Sequence, residues 1–364
     1  MSARIISAKR SPVAPRGGAL SHLDIHELGA PVVLACLKDA GVALDQVDEL
    51  IVSNALGAGG NPARITALAA GLPERVAGLS IDRQCTGGLD ALLIAKAMVE
   101  SGQANVVVAG GIESYSRRPL RFRITQGDPV QYDRPPFTPW PDRDPEMHVA
   151  AEALAQGMGI SRAEQDAWAV QSHADARAAD HSAEIVPFAS CLSDSFTRNL
   201  TPALCARAKP IVGSITTANT AVAADAAAFC VVVSETVAAK LGKEGLTFKG
   251  ATRGNTPDQP GLGPVPAIRD LIGQSKPQFD AVELMEAYAV QAIACARETG
   301  LSRNRINLGG GALARGHPIG ASGAILAVRL FHELQRRKGP DSRTGLAAIA
   351  AAGGIGTALL MHRP

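Results

Sequence analysis

The sequence predicts an α/β protein with a largely parallel, buried sheet, and two observations lead to this class. Apolar and β-branched stretches alternate with stretches that carry apolar residues at helical spacing, which is the rhythm of βαβ units. Aromatic residues make up only 4% of the 364 residues, whereas glycine occurs 37 times. Layers of small aliphatic side chains with closely approaching backbones are therefore expected. At roughly 150 residues per domain, the length predicts two or three folding units.

The individual elements follow from local signals. Apolar residues at helical spacing after Asp24 predict the first helix, which Gly41 ends. Short apolar or β-branched runs predict the strands. The predicted strands cover 4–8, 50–53, 105–109, 226–234, 280–285, 346–352 and 357–361, and the predicted helices cover 24–40, 89–99 and 161–180, with a further helix opening near residue 321.

The rhythm is interrupted once and then restarts. Residues 117–212 begin with irregular segments rich in arginine and proline, which are typical of a surface insertion. We therefore predict an N-terminal half made of 1–116 and 213–245, and a C-terminal half over 246–364. An apolar-Asp-x-apolar pattern recurs at 47–50 and 279–282, and Gly-Gly-Ile after a strand recurs at 110–112 and 353–355. This predicts a weak internal duplication, with reactive residues where strand ends and helix starts of the halves face each other.

Charge and cysteine usage exclude several classes of function. The 36 basic and 34 acidic residues give a net charge of only +2, unlike a nucleic-acid-binding protein. Neither a secretory signal nor an apolar run of membrane-spanning length is present, so a soluble cytoplasmic protein is expected. The six cysteines show no spacing typical of a zinc site or a disulfide framework. The glycine-rich segments match neither a dinucleotide fingerprint nor a Walker motif, which disfavours bound NAD or ATP.

Cys85 is the first candidate for chemistry. It lies immediately before an apolar-periodic helix, where unpaired N–H groups and the helix dipole favour a thiolate. Gly87 and Gly88 would allow a large substrate to approach the backbone, and their amides are candidates for binding an oxyanion. The alternative is a small buried residue that fills space at a helix start.

His317 is the second candidate. It lies in a glycine-dense loop, 309–323, that opens another helix. An imidazole there is suited to orient a carbonyl, to pair with a thiolate or to exchange protons near neutral pH. The alternative is a turn histidine whose nitrogens are satisfied by backbone groups.

Six arginines form a third feature, which is open to three interpretations. They are suited to bind the phosphates of an anionic substrate, or to contact an acidic surface of another subunit. The third and more frequent explanation is that they are solvent-exposed charges on a loop. They are Arg117, Arg118, Arg121, Arg123, Arg134 and Arg143.

Five segments, in order along nearly the whole chain, together resemble the thiolases. They are 84–92 around Cys85, the turn 110–114, 263–267, 286–289 and the loop 316–323 around His317. The resemblance implies a thiolase fold, with two similar βαβαβ-type halves in a five-layer αβαβα arrangement and a loop domain inserted in the first half. It also implies a homodimer or a homotetramer.

Enzymes of this family transfer an acyl group between coenzyme A and a catalytic cysteine, by cleaving 3-ketoacyl-CoA or by condensing two acyl-CoA molecules. The resemblance implies that Cys85 is the nucleophile and that His317 activates it and helps to hold the thioester oxygen. Gly354 is a candidate oxyanion partner and Glu286 a candidate for acid/base or oxyanion support. No metal or redox cofactor is expected, because coenzyme A enters as part of the substrate. The expected substrate contacts are Arg198, Met147, Ala221 and Gly316. The arginines of 117–143 are further candidates for binding the phosphates. For Met147, the alternative is a role in the hydrophobic core.

The sequence departs from the family at three positions. Ala350 occupies the place of the acid/base cysteine, and a methyl group exchanges no proton. Met285 stands where the family usually has an asparagine that orients a water in one oxyanion hole, and its thioether is only a weak acceptor. Ala221 and the bulkier Val222 replace Ser-Gly in a segment that meets the pantetheine arm. Losing an oxyanion donor typically costs about 10²–10³ in rate, and losing a general acid/base about 10²–10⁴.

The first hypothesis is therefore a divergent thiolase-like acyl-CoA acyltransferase. The runner-up is a cysteine acyltransferase that passes its acyl group to water or another nucleophile, or condenses by decarboxylation without proton abstraction. A hypothesis of a different class is a CoA-binding or partner-binding subunit without catalysis. Acylation of Cys85 needs neither missing group, and Glu286 and His317 are candidates to replace the missing base.

Overall fold

The computed structural model of the chain describes residues 2–57, 59–273, 278–336 and 343–364. Its strands are β1 (Ala3–Arg10), β2 (Ala14–Pro15), β3 (Glu49–Ser53), β4 (Leu79–Ile81), β5 (Val106–Glu113), β6 (Arg121–Thr125), β7 (Asp128–Tyr132), β8 (Pro210–Val212), β9 (Ile215–Thr216), β10 (Ala224–Ser234), β11 (Leu246–Gly254), β12 (Ala281–Leu284), β13 (Arg343–Ala351) and β14 (Ile355–Arg363). Its α-helices are α1 (Ile25–Ala40), α2 (Pro62–Ala69), α3 (Gly87–Glu100), α4 (Met147–Gly157), α5 (Arg162–Ala178), α6 (Pro202–Ala206), α7 (Glu235–Lys240), α8 (Pro264–Ile272), α9 (Ala289–Thr299), α10 (Ala312–Arg315) and α11 (Ile319–Arg336). Every strand and helix predicted from the sequence overlaps one of these elements.

Helix α1 shows how local residues set the limits of an element. The backbone N–H of Asp24 donates to the Glu27 carboxylate across 2.8 Å and closes the first turn. Gly41 has a φ of +73° and ends the helix, because glycine adopts this left-handed conformation without steric cost. Both limits lie where the sequence predicts them.

Ten strands form one mixed sheet in the order β12-β13-β14-β11-β1-β10-β5-β3-β4, with β2 beside β10. The pairs β3–β4, β3–β5 and β12–β13 are parallel, and the other pairs of this sheet are antiparallel. The prediction of a largely parallel sheet is therefore wrong. β13 and β14 form a hairpin through residues 352–354, where Gly353 and Gly354 have φ of +75° and +77°. A turn this short joins antiparallel strands only.

Alternating side chains separate three hydrophobic clusters along the strands. In β5, Val107 faces a central cluster that includes α3 and α11, whereas Val108 faces an outer cluster with α1 and α2. In β13, Ile349 faces the same central cluster, and Ala348 faces a second outer cluster with α8 and α9. The sequence of layers is helices, strands, α3 and α11, strands, helices. This is the expected five-layer αβαβα arrangement.

One of the two internal recurrences has a structural counterpart. Asp48 precedes β3 and accepts a hydrogen bond of 3.0 Å from the backbone N–H of Val106 in β5. Asp280 precedes β12 and accepts one of 3.0 Å from the backbone N–H of Thr344 in β13. Each aspartate therefore closes the beginning of a parallel strand pair. The glycine pairs of the other recurrence differ, because one lies inside β5 and the other forms the turn after β13.

The inserted segment shares a core with the C-terminal half. α4 and α5 contribute Leu154 and Trp168 to the cluster that contains α8 and α9. Two short hairpins, β6–β7 and β8–β9, belong to the same segment, and β6 exposes Phe122 and Ile124. The domain limits stay a prediction. In the ranges that the structure describes, none of the helices combines the length and the apolar character needed to cross a membrane.

Candidate active site

Cys85 lies in a single 3₁₀ turn, Gln84–Thr86, that runs directly into α3. Its half-buried sulfur lies 3.2 Å from Nε2 of His317. Gln84 has a φ of +48°, an uncommon conformation for a residue other than glycine. Backbone strain therefore accompanies the turn that presents the sulfur.

The two glycines after Cys85 serve packing. A Cβ on Gly87 would lie 2.2 Å from Oγ of Ser53, and one on Gly88 would lie 2.4 Å from the backbone nitrogen of Ala324 in α11. Both glycines are buried against protein. Gly87 allows close packing against β3, and Gly88 allows close packing against α11, which brings α11 and its preceding loop towards Cys85. That the two glycines allow a substrate to approach stays a prediction.

His317 lies in the three-residue connection between α10 and α11. Its backbone N–H donates to the carbonyl of Val222 across 2.7 Å. Its Nδ1 lies 2.6 Å from Oγ of Ser322, and that hydroxyl donates to the carbonyl of Pro318 across 3.2 Å. With the Ser322 hydroxyl donating to Pro318, Nδ1 is assigned as the protonated ring nitrogen, which donates to Ser322. The other ring nitrogen, Nε2, is then free to accept the thiol proton of Cys85.

Burial keeps both partners neutral at rest. It raises the pKa of the Cys85 thiol to about 12, and the nearby Glu113 carboxylate acts in the same direction. Burial alone lowers the pKa of His317 to about 4. At neutral pH these shifts favour a thiol beside an imidazole, against the thiolate that the helix start favours. The desolvation cost exceeds the stabilisation that the start of α3 offers to an anion.

Gly354 is the last residue of the turn between β13 and β14, and Ala350 lies near the end of β13. Gly354 has a left-handed conformation, and a Cβ there would lie 2.5 Å from the carbonyl oxygen of Asn255. Ala350 is half-buried and lies opposite Gly356 in the hairpin. The Gln84–Thr86 turn packs against both strands. Gly354 and Ala350 therefore belong to the hairpin that adjoins the Cys85 turn.

Met285 and Glu286 are both buried, with different consequences. Met285 belongs to the central cluster, against which Cys85 also packs. The Glu286 carboxylate accepts four hydrogen bonds. Two come from α5, from Trp168 Nε1 (2.9 Å) and Ser172 Oγ (2.8 Å). The other two come from Asn307 Nδ2 (2.7 Å) and from the backbone nitrogen of Leu313 (3.2 Å). Four donors occupy its oxygens, which disfavours a role as proton acceptor and favours a role in holding the loop before His317.

Three of the expected substrate contacts, Ala221, Gly316 and Met147, have described surroundings. Ala221, like Cys85, packs against the central cluster, and its backbone N–H donates to the carbonyl of Ala287. Gly316 is held against Ala224, since a Cβ there would lie 2.8 Å from that side chain. Met147 begins α4 and is half-buried.

Arg198 differs from the arginines of 117–143. It stacks over the ring of Phe196 at 4.2 Å, and none of the carboxylates that the structure describes pairs with it. The adjacent Thr197 hydroxyl donates to the carbonyl of Ala314, in the helix before the His317 loop. Four of the others pair with carboxylates, and the remaining two bind carbonyls or stack on a ring. Their partners are Asp24 for Arg117, Asp133 for Arg118, the carbonyls of Ala55 and Leu56 for Arg121, the Tyr132 ring for Arg123, Asp144 and Glu146 for Arg134, and Asp258 for Arg143.

Sequence reasoning missed three groups of this region. Ser322 and Glu113 both lie inside segments that carried the family resemblance, but nothing in their spacing indicates which atoms they bind. Tyr288 lies 3.0 Å from Nδ1 of His148 across the junction of α9 and α4.

A surface groove of about 620 Å³ runs along α3 from Arg83 and does not include Cys85 in its lining.

Comparisons with known proteins agree with this fold. Residues 3–236 match the family model "Thiolase, N-terminal domain", and residues 222–363 match "Thiolase, C-terminal domain". The chain is 40% identical over 377 residues to a protein of Bacillus subtilis (strain 168), covering 100% of this chain and 99% of the relative. It is 36% identical over 380 residues to a protein of Staphylococcus haemolyticus (strain JCSC1435), covering 99% and 98%. Both carry the name "Putative acetyl-CoA C-acetyltransferase".

A solved structure extends the match to three dimensions. The crystal structure of the Bacillus anthracis acetyl-CoA acetyltransferase has a TM-score of 0.91 and 34% sequence identity, covering 99% of this chain and 98% of that one. Fold and relatives together define an acyltransferase of the five-layer α/β class. The chain belongs to the thiolase family, and its function is acyl transfer of the thiolase type.

Proposed function

We propose that the protein transfers acyl groups from acyl-CoA through a thioester on Cys85. The thiol proton passes to Nε2 of His317 while the sulfur attacks the thioester carbonyl carbon. The bond from that carbon to the CoA sulfur then breaks, and the imidazolium returns the proton to the leaving thiolate. The products are acyl-Cys85 and free CoA, and a second thiol reverses the same steps.

The observation that carries the proposal is the 3.2 Å contact between the Cys85 sulfur and a neutral imidazole nitrogen. A thiol whose pKa is about 12 is a weak nucleophile until a base removes its proton during the attack. His317 is such a base, because Ser322 orients its ring and burial keeps Nε2 unprotonated. The backbone amides of Cys85 and Gly354 are our candidate donors to the oxyanion.

The proposal extends to substrate contacts and to assembly. Arg198 is the preferred phosphate contact, because none of the described carboxylates pairs with it, whereas four of the six arginines of 117–143 already pair with carboxylates. Met147, Ala221 and Gly316 are proposed to line the region that receives the acyl and pantetheine groups. Exposed apolar side chains on β6, Phe122 at 53% and Ile124 at 72%, support self-association as a homodimer or a homotetramer.

Three measurements after mixing with acetyl-CoA or longer acyl-CoAs test the proposal: intact mass, free CoA and 3-ketoacyl product. We expect a Cys85-dependent acyl adduct with stoichiometric release of CoA, and thiolysis of acetoacetyl-CoA. Cys85→Ala abolishes both, whereas Cys191→Ala, which removes another buried thiol, retains both. An adduct that only hydrolyses would indicate a different acyl acceptor. CoA binding without any adduct would contradict the proposal and indicate a binding subunit.

A further inference from the structure

Glu113 connects the His317 loop to the N-terminal half. It is the last residue of β5 and is fully buried. Its Oε2 accepts a hydrogen bond of 2.9 Å from the backbone N–H of Gly320, in the first turn of α11. The same oxygen accepts one of 3.1 Å from the backbone N–H of Ala55.

The other oxygen of Glu113 is also fully occupied. Oε1 accepts hydrogen bonds from Nδ2 of Asn54 at 2.8 Å and from the backbone N–H of Leu56 at 3.3 Å. Four N–H groups therefore converge on one carboxylate. An ionised carboxylate satisfies all four, whereas a protonated one turns an O–H towards at least one of these donors and loses a hydrogen bond.

Gly320 lies only three residues after His317, with Pro318 between them. Its backbone packs against the turn that follows β3, since a Cβ on Gly320 would lie 2.9 Å from the Cα of Asn54. The anchor at Gly320 thus limits how far the start of α11 can move away from the N-terminal half. Cys85 belongs to that half, so the same anchor maintains the distance between its sulfur and His317.

We propose that Glu113 is a positioning residue for acyl transfer: its ionised carboxylate holds the His317 loop at the reactive distance from Cys85, and its protonation loosens that loop. The proposal rests on the proposed function of Cys85 and His317. Glu113 touches neither the substrate nor the sulfur in this account, and it positions His317 through the backbone of α11. Its charge raises the pKa of Cys85, so this electrostatic effect opposes the positioning effect.

Electrostatics place the protonation of Glu113 near neutral pH. Burial raises the pKa of Glu113 to about 7, against the opposing effect of the backbone N–H groups. The catalytic pair titrates far from this value, at about 12 for Cys85 and about 4 for His317. Any change of the acylation rate between pH 5.5 and 8.5 then has to come from another group. The titratable and charged groups on the elements around Glu113 include Asp82, Cys85, Tyr115, Asp225 and His317, and the guanidinium of Arg121, which binds the carbonyls of Ala55 and Leu56.

The test is the pH dependence of CoA release in a single turnover with acetyl-CoA, measured on the full chain. In the wild type we expect the rate to fall about tenfold as the pH decreases from 8.5 to 5.5, the effect of about one lost hydrogen bond. Glu113→Gln removes the titrating group and keeps the shape of the side chain. Its rate is expected to be about tenfold lower at pH 8.5 and independent of pH over this range.

Two further variants sharpen the test. Asn54→Ala removes one donor to the ionised carboxylate, which raises the pKa of Glu113, so the midpoint of the profile moves to higher pH. Glu283→Gln is the matched control, because burial also raises the pKa of Glu283 to about 7, but this carboxylate lies in a cluster with Arg329. Glu283→Gln is expected to leave the midpoint of the pH profile unchanged.

The outcomes separate this inference from the proposed function. A wild type that is not acylated at any pH contradicts the role of Cys85 itself. Acylation with a flat profile in the wild type, or an unchanged midpoint in both Glu113→Gln and Asn54→Ala, overturns the positioning role only. Thermal unfolding of each variant shows that the compared proteins are folded, and if Glu113→Gln does not fold, the midpoint of Asn54→Ala decides.

Discussion

The hydroxyl of Thr357 donates a hydrogen bond of 3.0 Å to Oδ1 of Asp90, and this contact joins β14 to the first turn of α3. Thr252 of β11 donates to the same oxygen at 2.5 Å, and Thr86 donates to Oδ2 at 2.8 Å. Arg83 completes the set with an ion pair of 3.0 Å. Since Cys85 lies between Arg83 and Thr86, the cluster fixes the nucleophile turn to the strand that follows Gly354.

Asp90→Ala is expected to lower the free energy of unfolding by about 3 kcal/mol, because it leaves three hydroxyls and a guanidinium without their acceptor. Thr357→Val removes a single donor and is expected to cost about 1 kcal/mol. Urea denaturation measures both. Equal costs for the two variants would show that the carboxylate is not the centre of this cluster.

The resting thiol of Cys85 has a signature in alkylation. With a pKa of about 12, the thiolate fraction increases about tenfold for each unit of pH from 7 to 10, and the rate of carbamidomethylation by iodoacetamide is expected to follow it without a plateau. Peptide mass analysis identifies the modified residue, and the unfolded chain serves as the control with an ordinary thiol pKa. A plateau below pH 9 in the folded protein would mean that a thiolate is already stable beside His317.

Ser322→Ala tests the orientation of the imidazole. The substitution removes the acceptor of the Nδ1 proton, so the ring loses its preference for the tautomer that leaves Nε2 free. We expect the rate of Cys85 acylation to decrease about tenfold, with unchanged affinity for CoA. Ser322→Thr keeps the hydroxyl and is expected to retain most of the rate. An effect on CoA affinity alone would assign Ser322 to substrate binding.

The sequence predicts the order of elements well and the pairing of strands poorly. Buried runs such as 226–234 identify a strand whatever its partners are, because both faces are apolar. Whether a strand pair is parallel or antiparallel depends on which strands are neighbours in the sheet. β1 pairs with β10 and β11, which lie more than 200 residues further along the chain. The glycine pair at Gly353 predicts a turn. It does not predict which element follows, because a hairpin and a strand-to-helix turn share that signal.

The candidate site shows the same division. The sequence predicts the positions of Cys85 and His317 before their helices, since glycine-rich segments and helical periodicity accompany both. The sequence does not predict the charge state of Cys85, because that state depends on burial by residues from both halves. The partners of Glu286 belong to α5, to the loop before α10 and to α10 itself, so its four hydrogen bonds arise only from the tertiary fold.

Arg198→Ala tests the proposed phosphate contact. A guanidinium with no carboxylate partner among the described residues is available to a phosphate, and a charge-assisted contact contributes about 1.5–3 kcal/mol. We expect the Kd for CoA to increase at least tenfold, as measured by calorimetry, while the Kd for pantetheine, which lacks the nucleotide phosphates, is unchanged. Arg143→Ala is the matched control, because its side chain already pairs with Asp258. Equal effects of the two variants would return the arginines of 117–143 as candidates.

Ala350→Cys tests how far the missing thiol limits the reaction. Ala350 is half-buried opposite Gly356, on the strand against which the Cys85 turn packs, so a sulfur there is expected to be accommodated. We predict that the single change gives partial condensation of acetyl-CoA, because Met285 still supplies no amide to orient a water at the oxyanion. Adding Met285→Asn is expected to increase the rate by about a further 10²-fold, the typical effect of one oxyanion donor.

The measurement is the rate of acetoacetyl-CoA formation, compared with the rate of Cys85 acylation in the same protein. Ala348→Cys is the control, since it adds a thiol to the same strand at a position enclosed by the outer cluster. It is expected to leave condensation at the wild-type level. Full activity from Ala350→Cys alone would show that the loss of the oxyanion amide matters less than the loss of the proton-exchanging group, and that the backbone amides near Cys85 already stabilise the oxyanion sufficiently.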